Sequence, residues 1–125
     1  MNGRYFLDTN AIIYLLRDGK DYLQKFENAE WLGISVLSKI EFLSFPNLSE
    51  HDKQIFRSFE QRVSVLNIES SNQDLIEKAI EFRSKYKIKL PDALIFASAV
   101  INSAVFITND KQLLSFQFMQ SQSIS

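Results

Sequence analysis

The stretch Tyr5-Phe6-Leu7-Asp8-Thr9-Asn10, close to the start of the chain, decides the fold. Its three bulky apolar residues form a run that is typical of a buried β-strand. Asp8 follows where this run ends, and Thr9 and Asn10 can cap a helix beginning at Ala11. A buried strand that ends in an acid before a helix places a charge at the carboxyl edge of a parallel sheet, where ligands bind in open α/β proteins. Taken alone, Asp8 is better explained as a helix cap, so a functional role depends on acids further along the chain.

The rest of the chain alternates apolar runs of strand length with stretches of helical periodicity. Further strands are predicted over residues 32–36, 65–68 and 104–107, and helices over residues 11–16, 21–28, 38–45, 50–63, 91–102 and from a cap at 71–72 to about 85. This alternation predicts a parallel sheet with helices on both faces. We expect one domain over residues 1–125, with a loose Gln/Ser-rich tail over residues 117–125.

The composition excludes several classes of site. The sequence has no cysteine, so disulfides and thiolate metal sites are excluded. His51 is the only histidine, which excludes a His-rich metal site and a Ser-His-Asp triad built around another histidine. A net charge of −1 means that any binding of nucleic acid must use a local patch. No apolar run approaches the roughly 20 residues that span a bilayer, and the N-terminus lacks signal-peptide features, so a cytoplasmic protein without membrane contact is expected.

Three further acids stand at unusual positions. Glu41 interrupts an apolar stripe on its predicted helix and is expected to project toward the core, whereas a structural Glu normally faces water. Asp92 lies in the first turn of the last long helix, where an acid also offsets the helix dipole. Asp110 follows the fourth strand, where it could simply cap a turn. Each acid alone is better explained by its structural role.

The joint placement of the four acids favours a functional interpretation. Asp8 and Asp110 follow strand ends, and in a doubly wound sheet such positions can converge at one edge. Clustered carboxylates without a cation repel one another and raise one another's pKa values. Mg²⁺ prefers oxygen ligands and retains several waters, so it would relieve this repulsion. Asn10 and Thr108 are expected to orient the carboxylates or bound waters from a second layer of contacts.

These residues carry a resemblance to a known family. Phe6-Leu7-Asp8-Thr9-Asn10, Glu41, Leu90-Pro91-Asp92-Ala93-Leu94-Ile95 and Ile107-Thr108-Asn109-Asp110 resemble, in order and spacing, the acidic signature of PIN-domain ribonucleases. More narrowly, residues 4–115 are similar to VapC-type toxins of bacterial toxin–antitoxin pairs. The resemblance implies a three-layer α/β fold, with a central parallel sheet of four or five strands and helices on both faces. It also implies an endoribonuclease dependent on Mg²⁺ or Mn²⁺, an antitoxin partner and often a homodimer.

The resemblance places catalytic and metal-binding roles on Asp8, Glu41, Asp92 and Asp110. Two features depart from the family pattern. Leu113 and Leu114 stand where many relatives carry a further acid, and the C-terminus is short of the usual final strand.

Two weaker patterns point to partners. Lys85, Lys87 and Lys89 precede Asp92, where they could hold RNA phosphates, although a solvated helix end and loop explain them equally well. A second pattern is apolar, and it comprises Phe42, Phe45, Ile55, Phe56 and Phe59. These side chains either form an exposed strip for an amphipathic antitoxin segment or belong to the core.

Two other functions stay open at this point. The segment Leu7-Asp8-Thr9 resembles the nucleophile strand of haloacid dehalogenase-type phosphatases, although Asn10 stands where that family needs a second Asp. The other alternative is a non-catalytic interaction domain with a decayed acidic pocket. Stabilisation by divalent ions would argue against the interaction domain, and a trapped aspartyl-phosphate would favour the phosphatase.

Overall fold

A five-stranded parallel sheet forms the centre of the molecule in a computed structural model that describes residues 3–115 and 121–123. The strands are β1 (Arg4–Leu7), β2 (Trp31–Ser35), β3 (Ser64–Leu66), β4 (Val105–Ile107) and β5 (Ser121–Gln122). The helices are α1 (Thr9–Arg17), α2 (Lys20–Glu27), α3 (Val36–Leu43), α4 (Glu50–Glu60), α5 (Gln73–Tyr86), α6 (Leu90–Ile101) and α7 (Lys111–Leu114). The strand order is β3-β2-β1-β4-β5, and every pair is parallel. The predicted α/β fold is therefore confirmed.

Strand β1 lies in the middle of the sheet and separates two apolar layers. Phe6 and Leu7 are both fully buried, and their side chains point to opposite faces because side chains alternate along a strand. Phe6 packs in a cluster with residues of α5 and α6, including Phe82 and Phe96. Leu7 packs in a second cluster that includes residues of α1, α3 and α4. The helices thus cover both faces of the sheet.

The sheet has its topological switch point between β1 and β4. From β1 the chain moves through β2 to β3 on one side, whereas β4 and β5 lie on the other side. In open α/β sheets the carboxyl ends of the two strands at such a point frame the ligand crevice. Asp8 directly follows β1, and Thr108 directly follows β4. The order of strands therefore places both residues at this crevice.

The first helix begins two residues earlier than the sequence indicated. Asp8, in an extended conformation, is the N-cap of α1, and the helix starts at Thr9 instead of Ala11. The prediction that Thr9 and Asn10 cap this helix is wrong. The Asp8 side chain accepts a hydrogen bond from the backbone N–H of Ala11, and this satisfies one of the free amides at the helix start.

A final strand is present at the C-terminal end of the described chain. Ser121–Gln122 pairs in parallel with β4, with Gln122 opposite Ile107. This differs from the loose tail expected over residues 117–125, although residues 117–120 and 124–125 of that tail lie outside the described residues. The assignment of residues 1–125 to one domain stays a prediction. No helix of the described part is long and apolar enough to cross a membrane.

The aromatic strip proposed as a partner surface is mostly core. Phe42, Phe56 and Phe59 are at most 6% exposed, and the rings of Phe42 and Phe56 stack with centroids 4.8 Å apart. The interpretation of Phe56 and Phe59 as an exposed strip is therefore wrong. Phe45 differs from them, because 42% of its surface is exposed. The α4 helix buries both of its phenylalanines because they lie three residues apart on its apolar face.

Candidate active site

Asp8 is held at the switch point by two hydrogen bonds to opposite sides of its carboxylate. Its Oδ1 accepts the N–H of Ala11 at 2.8 Å, and its Oδ2 accepts the hydroxyl of Thr108. The backbone N–H of Asp8 donates to the carbonyl of Ile107 at 3.1 Å, which extends the pairing of β1 with β4. Only 8% of Asp8 is exposed. The carboxylate therefore has one fixed orientation between two strand ends.

Thr108 connects Asp8 to the last of the four acids. Its hydroxyl oxygen accepts the backbone N–H of Asp110 at 3.0 Å while its proton is donated to Asp8. Asp110 is the N-cap of α7, and its Oδ1 accepts the N–H groups of Gln112 and Leu113. The predicted supporting role of Thr108 thus has a geometric basis. Both Asp8 and Asp110 are helix caps, and capping uses Oδ1 in each case.

Glu41 does not project toward the core. It is exposed, and the buried residues of α3 are Ser38 and Phe42. The prediction was wrong because the stripe assumed for this helix includes Ile40 and Phe45, which are themselves exposed. Glu41 instead reaches the start of α1, where its Oε1 accepts the hydroxyl of Thr9 at 2.5 Å.

The four acids influence one another electrostatically. Burial raises the pKa of Asp8 to about 6, and the charges of Asp92 and Asp110 add to this effect. The hydrogen bonds from Thr108 and Ala11 oppose the rise in the pKa of Asp8, but they do not cancel it. Burial also raises the pKa of the half-buried Asp92, and the charges of Asp110 and Glu41 raise it further. The structure therefore brings all four acids to one edge of the sheet.

The chemistry of these acids fits a hard divalent cation, although they do not form a closed cage. In residues 3–115 and 121–123, no three acidic or histidine side chains converge closely enough to enclose an ion by themselves. Their ligand atoms are carboxylate oxygens, and none of the ion pairs of the described residues involves any of the four. Mg²⁺ typically binds through one or two carboxylates and completes its shell with waters. An open acidic edge suits that mode of binding.

The supporting role of Asn10 stays a prediction, whereas Thr9, which was not singled out in the sequence, contacts one of the acids. Asn10 is exposed in the first turn of α1, and within the described chain no hydrogen bond joins it to an acid. Its neighbour Thr9 bonds to Glu41 and also lies 3.0 Å from the hydroxyl of Ser38. The sequence feature that could have identified Thr9 is its position directly after an acid that caps the helix. Because Asp8 makes the capping bond, the Thr9 hydroxyl can make a contact outside the helix.

The three lysines before Asp92 are in different situations. Lys85 lies 3.7 Å from Glu81 in an exposed ion pair on α5. Lys87 ends that helix in the left-handed conformation, with φ of 55°. Lys89 is the N-cap residue of α6, and its charge lowers the pKa of Asp92 against the effect of burial. Of the three, Lys89 is the one whose charge acts on the acidic edge.

Comparison with known proteins identifies the family. The family model of the PIN domain matches residues 5–118. The chain belongs to the PIN domain family. This confirms the resemblance drawn from the four acidic motifs and sets aside the haloacid dehalogenase alternative. No curated protein matches the sequence.

Several solved structures are similar to nearly the whole chain. A toxin–antitoxin complex from Klebsiella pneumoniae matches with 26% identity and a TM-score of 0.76, covering 97% of this chain and 98% of that one. VapBC-1 from nontypeable Haemophilus influenzae matches with 25% identity and a TM-score of 0.75, at the same coverage. VapBC2 from Rickettsia felis, bound to a DNA fragment from its promoter, has 18% identity and a TM-score of 0.80, covering 96% and 98%. The last similarity concerns the fold alone.

We expect the stability of the metal-free protein to fall as pH rises through about 6. Burial raises the pKa of Asp8 from 3.8 to about 6, so the folded state holds more protons than the unfolded state between these values. The stabilisation is complete below the pKa that Asp8 has in the unfolded state. It is lost as pH rises through the pKa that Asp8 has in the folded state. Asp8→Asn removes the ionisable group, and it should become more stable than the wild type above that window, by at most about 3 kcal/mol.

Urea unfolding in EDTA at several values between about pH 4 and pH 8 measures this difference. Asp74→Asn is the matched control, because Asp74 is an exposed acid in the first turn of α5. A constant difference between Asp8→Asn and the wild type across this range would contradict the raised pKa of Asp8.

Proposed function

We propose that this PIN-domain protein is an endoribonuclease dependent on Mg²⁺ or Mn²⁺, and that it acts as the toxin of a toxin–antitoxin pair. One observation carries the proposal. Four carboxylates from four separate segments lie at the crevice of a parallel sheet, where burial and, to a smaller extent, the charges of neighbouring acids raise the pKa values of Asp8 and Asp92. Raised pKa values that combine burial with like charges are typical of functional sites. The similarity to a toxin–antitoxin complex supports the biological role.

In the proposed mechanism, Asp8, Glu41 and Asp92 would hold the cation together with bound waters, and Asp110 would complete the site directly or through water. The bound ion would supply activation of a water molecule and neutralisation of charge on the phosphoryl group. Thr108 keeps the Asp8 carboxylate in place and, through the N–H of Asp110, fixes the turn after β4. No side-chain nucleophile is needed, because water attacks the phosphodiester.

Lys89 is proposed to attract the RNA backbone beside the acidic edge. It is exposed next to Asp92, and the protein has a net charge of −1, so a local cation is needed to hold phosphate. Lys85 and Lys87 were predicted with it, but Lys85 already pairs with Glu81. We therefore assign Lys89 the main part of this role. A homodimer stays a prediction.

An amphipathic segment of the antitoxin is proposed to occupy an apolar cleft on the surface of the protein. The cleft has a volume of about 330 Å³ and is lined by Ile13, Leu16, Arg17, Phe42, Phe45, Pro46, Asn47, Leu48, Asp52 and Ile55. It lies between α1, α3 and α4 and replaces the strip assumed on Phe56 and Phe59. Its mixture of apolar walls with an arginine and an aspartate suits a helix that buries one face. The Klebsiella pneumoniae match, a toxin–antitoxin complex, supports an antitoxin as the occupant.

The metal requirement is tested with Asp92→Asn, which keeps the shape and removes one charge. RNA cleavage should fall at least about 100-fold, because a ligand of the ion is lost. EDTA should abolish cleavage by the wild type, and Mn²⁺ should raise its melting temperature by mass action. Asp74→Asn, again an acid in a first helical turn, should cleave like the wild type. Full cleavage in EDTA would refute the proposed mechanism.

The role of Lys89 is tested by comparing Lys89→Ala with Lys85→Ala. Lys89→Ala should weaken the binding of single-stranded RNA and reduce the slope of log affinity against log salt by about 0.7, as expected for one lost phosphate contact. Lys85→Ala should change both quantities less. Equal effects in a filter-binding titration would show that the lysines act only as a diffuse charge.

The cleft is tested with Phe45→Ser, a change at an exposed aromatic ring of its wall. This variant should stay folded and cleave RNA. It should bind the antitoxin encoded beside its gene at least about 10-fold more weakly, because truncation of an aromatic side chain that an interface buries often costs more than 1 kcal/mol. Ile80→Ser is the control, because Ile80 is an exposed apolar residue on α5, outside the cleft. Calorimetric titrations that show equal antitoxin affinity for both variants would rule out the cleft.

A further inference from the structure

The hydroxyl of Thr9 joins two helices at the acidic edge. Thr9 is the first residue of α1, and its Oγ1 lies 2.5 Å from Oε1 of Glu41 and 3.0 Å from Oγ of Ser38 on α3. We propose that Thr9 and Ser38 form a hydroxyl relay that fixes the Glu41 carboxylate for metal binding. Thr9 and Ser38 are then positioning residues. This inference rests on the proposed function.

The direction of the relay follows from the number of protons available. The Thr9 hydroxyl has one proton, and the ionised carboxylate of Glu41 can only accept hydrogen bonds. The proton of Thr9 is therefore donated to Glu41. Ser38 is fully buried, and its hydroxyl proton needs an acceptor, which the oxygen of Thr9 provides. The chain of donation runs from Ser38 to Thr9 to Glu41, and each bond polarises the next.

The hydroxyl of Thr9 is available for this contact because Asp8 caps the helix. A threonine at a helix start often binds a backbone N–H two or three residues ahead. Here Asp8 occupies the N-cap and accepts the N–H of Ala11 instead. Thr9 therefore stands at the first helical position, where its side chain can reach a neighbouring helix.

The relay compensates for the exposed position of Glu41. A glutamate on a helix surface has several rotamers, and ordering it costs conformational entropy. Asp8, in contrast, is fixed by burial and two hydrogen bonds. Ser38 and Glu41 lie three residues apart on one side of α3, so both can meet Thr9. The bond from Thr9 holds Glu41 in one orientation before the cation arrives, and this should increase the affinity for the metal.

The test compares Thr9→Val with Thr9→Ser. Valine keeps the shape of threonine and loses the hydroxyl, whereas serine keeps the hydroxyl. Ser38→Ala removes the second member of the relay. Ser44→Ala is the control, because it removes a hydroxyl of the same region of chain that donates to the carbonyl of Ile40, at 2.6 Å. Two measurements are made: the side-chain rotamers of Glu41 by NMR in metal-free protein, and Mn²⁺ affinity by electron paramagnetic resonance.

In the wild type, Thr9→Ser and Ser44→Ala, we expect one dominant rotamer of Glu41 and similar Mn²⁺ affinity. In Thr9→Val we expect several rotamers of Glu41 and an affinity about 10-fold lower, with a smaller loss in Ser38→Ala. The thermal melting of the metal-free variants shows whether each is folded. If Thr9→Val unfolds, the relay is tested instead by comparing the Glu41 rotamers and the Mn²⁺ affinity of Ser38→Ala with those of Ser44→Ala.

Glu41 keeping one rotamer in the folded Thr9→Val or Ser38→Ala variant would overturn the relay, whatever the activity. Unchanged Mn²⁺ affinity in these variants would overturn its role in metal binding. If Glu41 is ordered in the wild type but the wild-type protein binds no Mn²⁺, the proposed function is overturned. The relay would then have no role in metal binding. The rotamers are measured without metal, so the two failures are distinguishable.

Discussion

The buried carboxylate of Asp8 is the constraint on which the site depends. It ends the central strand, caps the first helix and accepts the hydroxyl of Thr108 from the neighbouring strand end. Burying a charge is costly unless it is hydrogen-bonded or neutralised. Two hydrogen bonds offset part of that cost, and the pKa of Asp8, raised by burial to about 6, shows the part that is left. A bound cation, as proposed for this site, would offset this remainder.

The caps and the acidic edge come from the same feature of the fold. In a parallel α/β sheet, each helix that follows a strand starts at the carboxyl edge, so its N-cap residue lies there as well. Asp8 and Asp110 are such caps, and each directs Oδ1 to backbone N–H groups. A capping carboxylate is fixed in place and keeps unused lone pairs, which suits it to a metal. The capping and functional interpretations of these acids are therefore compatible.

The sequence was sufficient for the fold and for the positions of the acids, but not for the directions of side chains. The apolar run Tyr5-Phe6-Leu7 and the alternation of elements predicted the parallel sheet, because these patterns depend on local periodicity. Glu41 was placed incorrectly for a different reason, and for Phe56 the sequence left both the core and an exposed strip open. Which side of a helix is covered depends on its neighbours, and α3 has more apolar positions than its packing face uses, because Ile40 and Leu43 are exposed. Thr9 was missed because its partner lies 32 residues away.

The relay and the cleft share their helices, which bears on how an inhibitor would act. Helix α1 carries Thr9 at its first position and Ile13 and Leu16 in the cleft wall. Helix α3 likewise carries Glu41 together with Phe42 of that wall. The hydrogen bond between Thr9 and Glu41 connects α1 and α3. A segment bound between these two helices would contact both of them. Displacing either helix by about 1 Å would lengthen that bond beyond the range of a good hydrogen bond. An occupant of the cleft would therefore weaken the proposed metal site without touching any of the four acids.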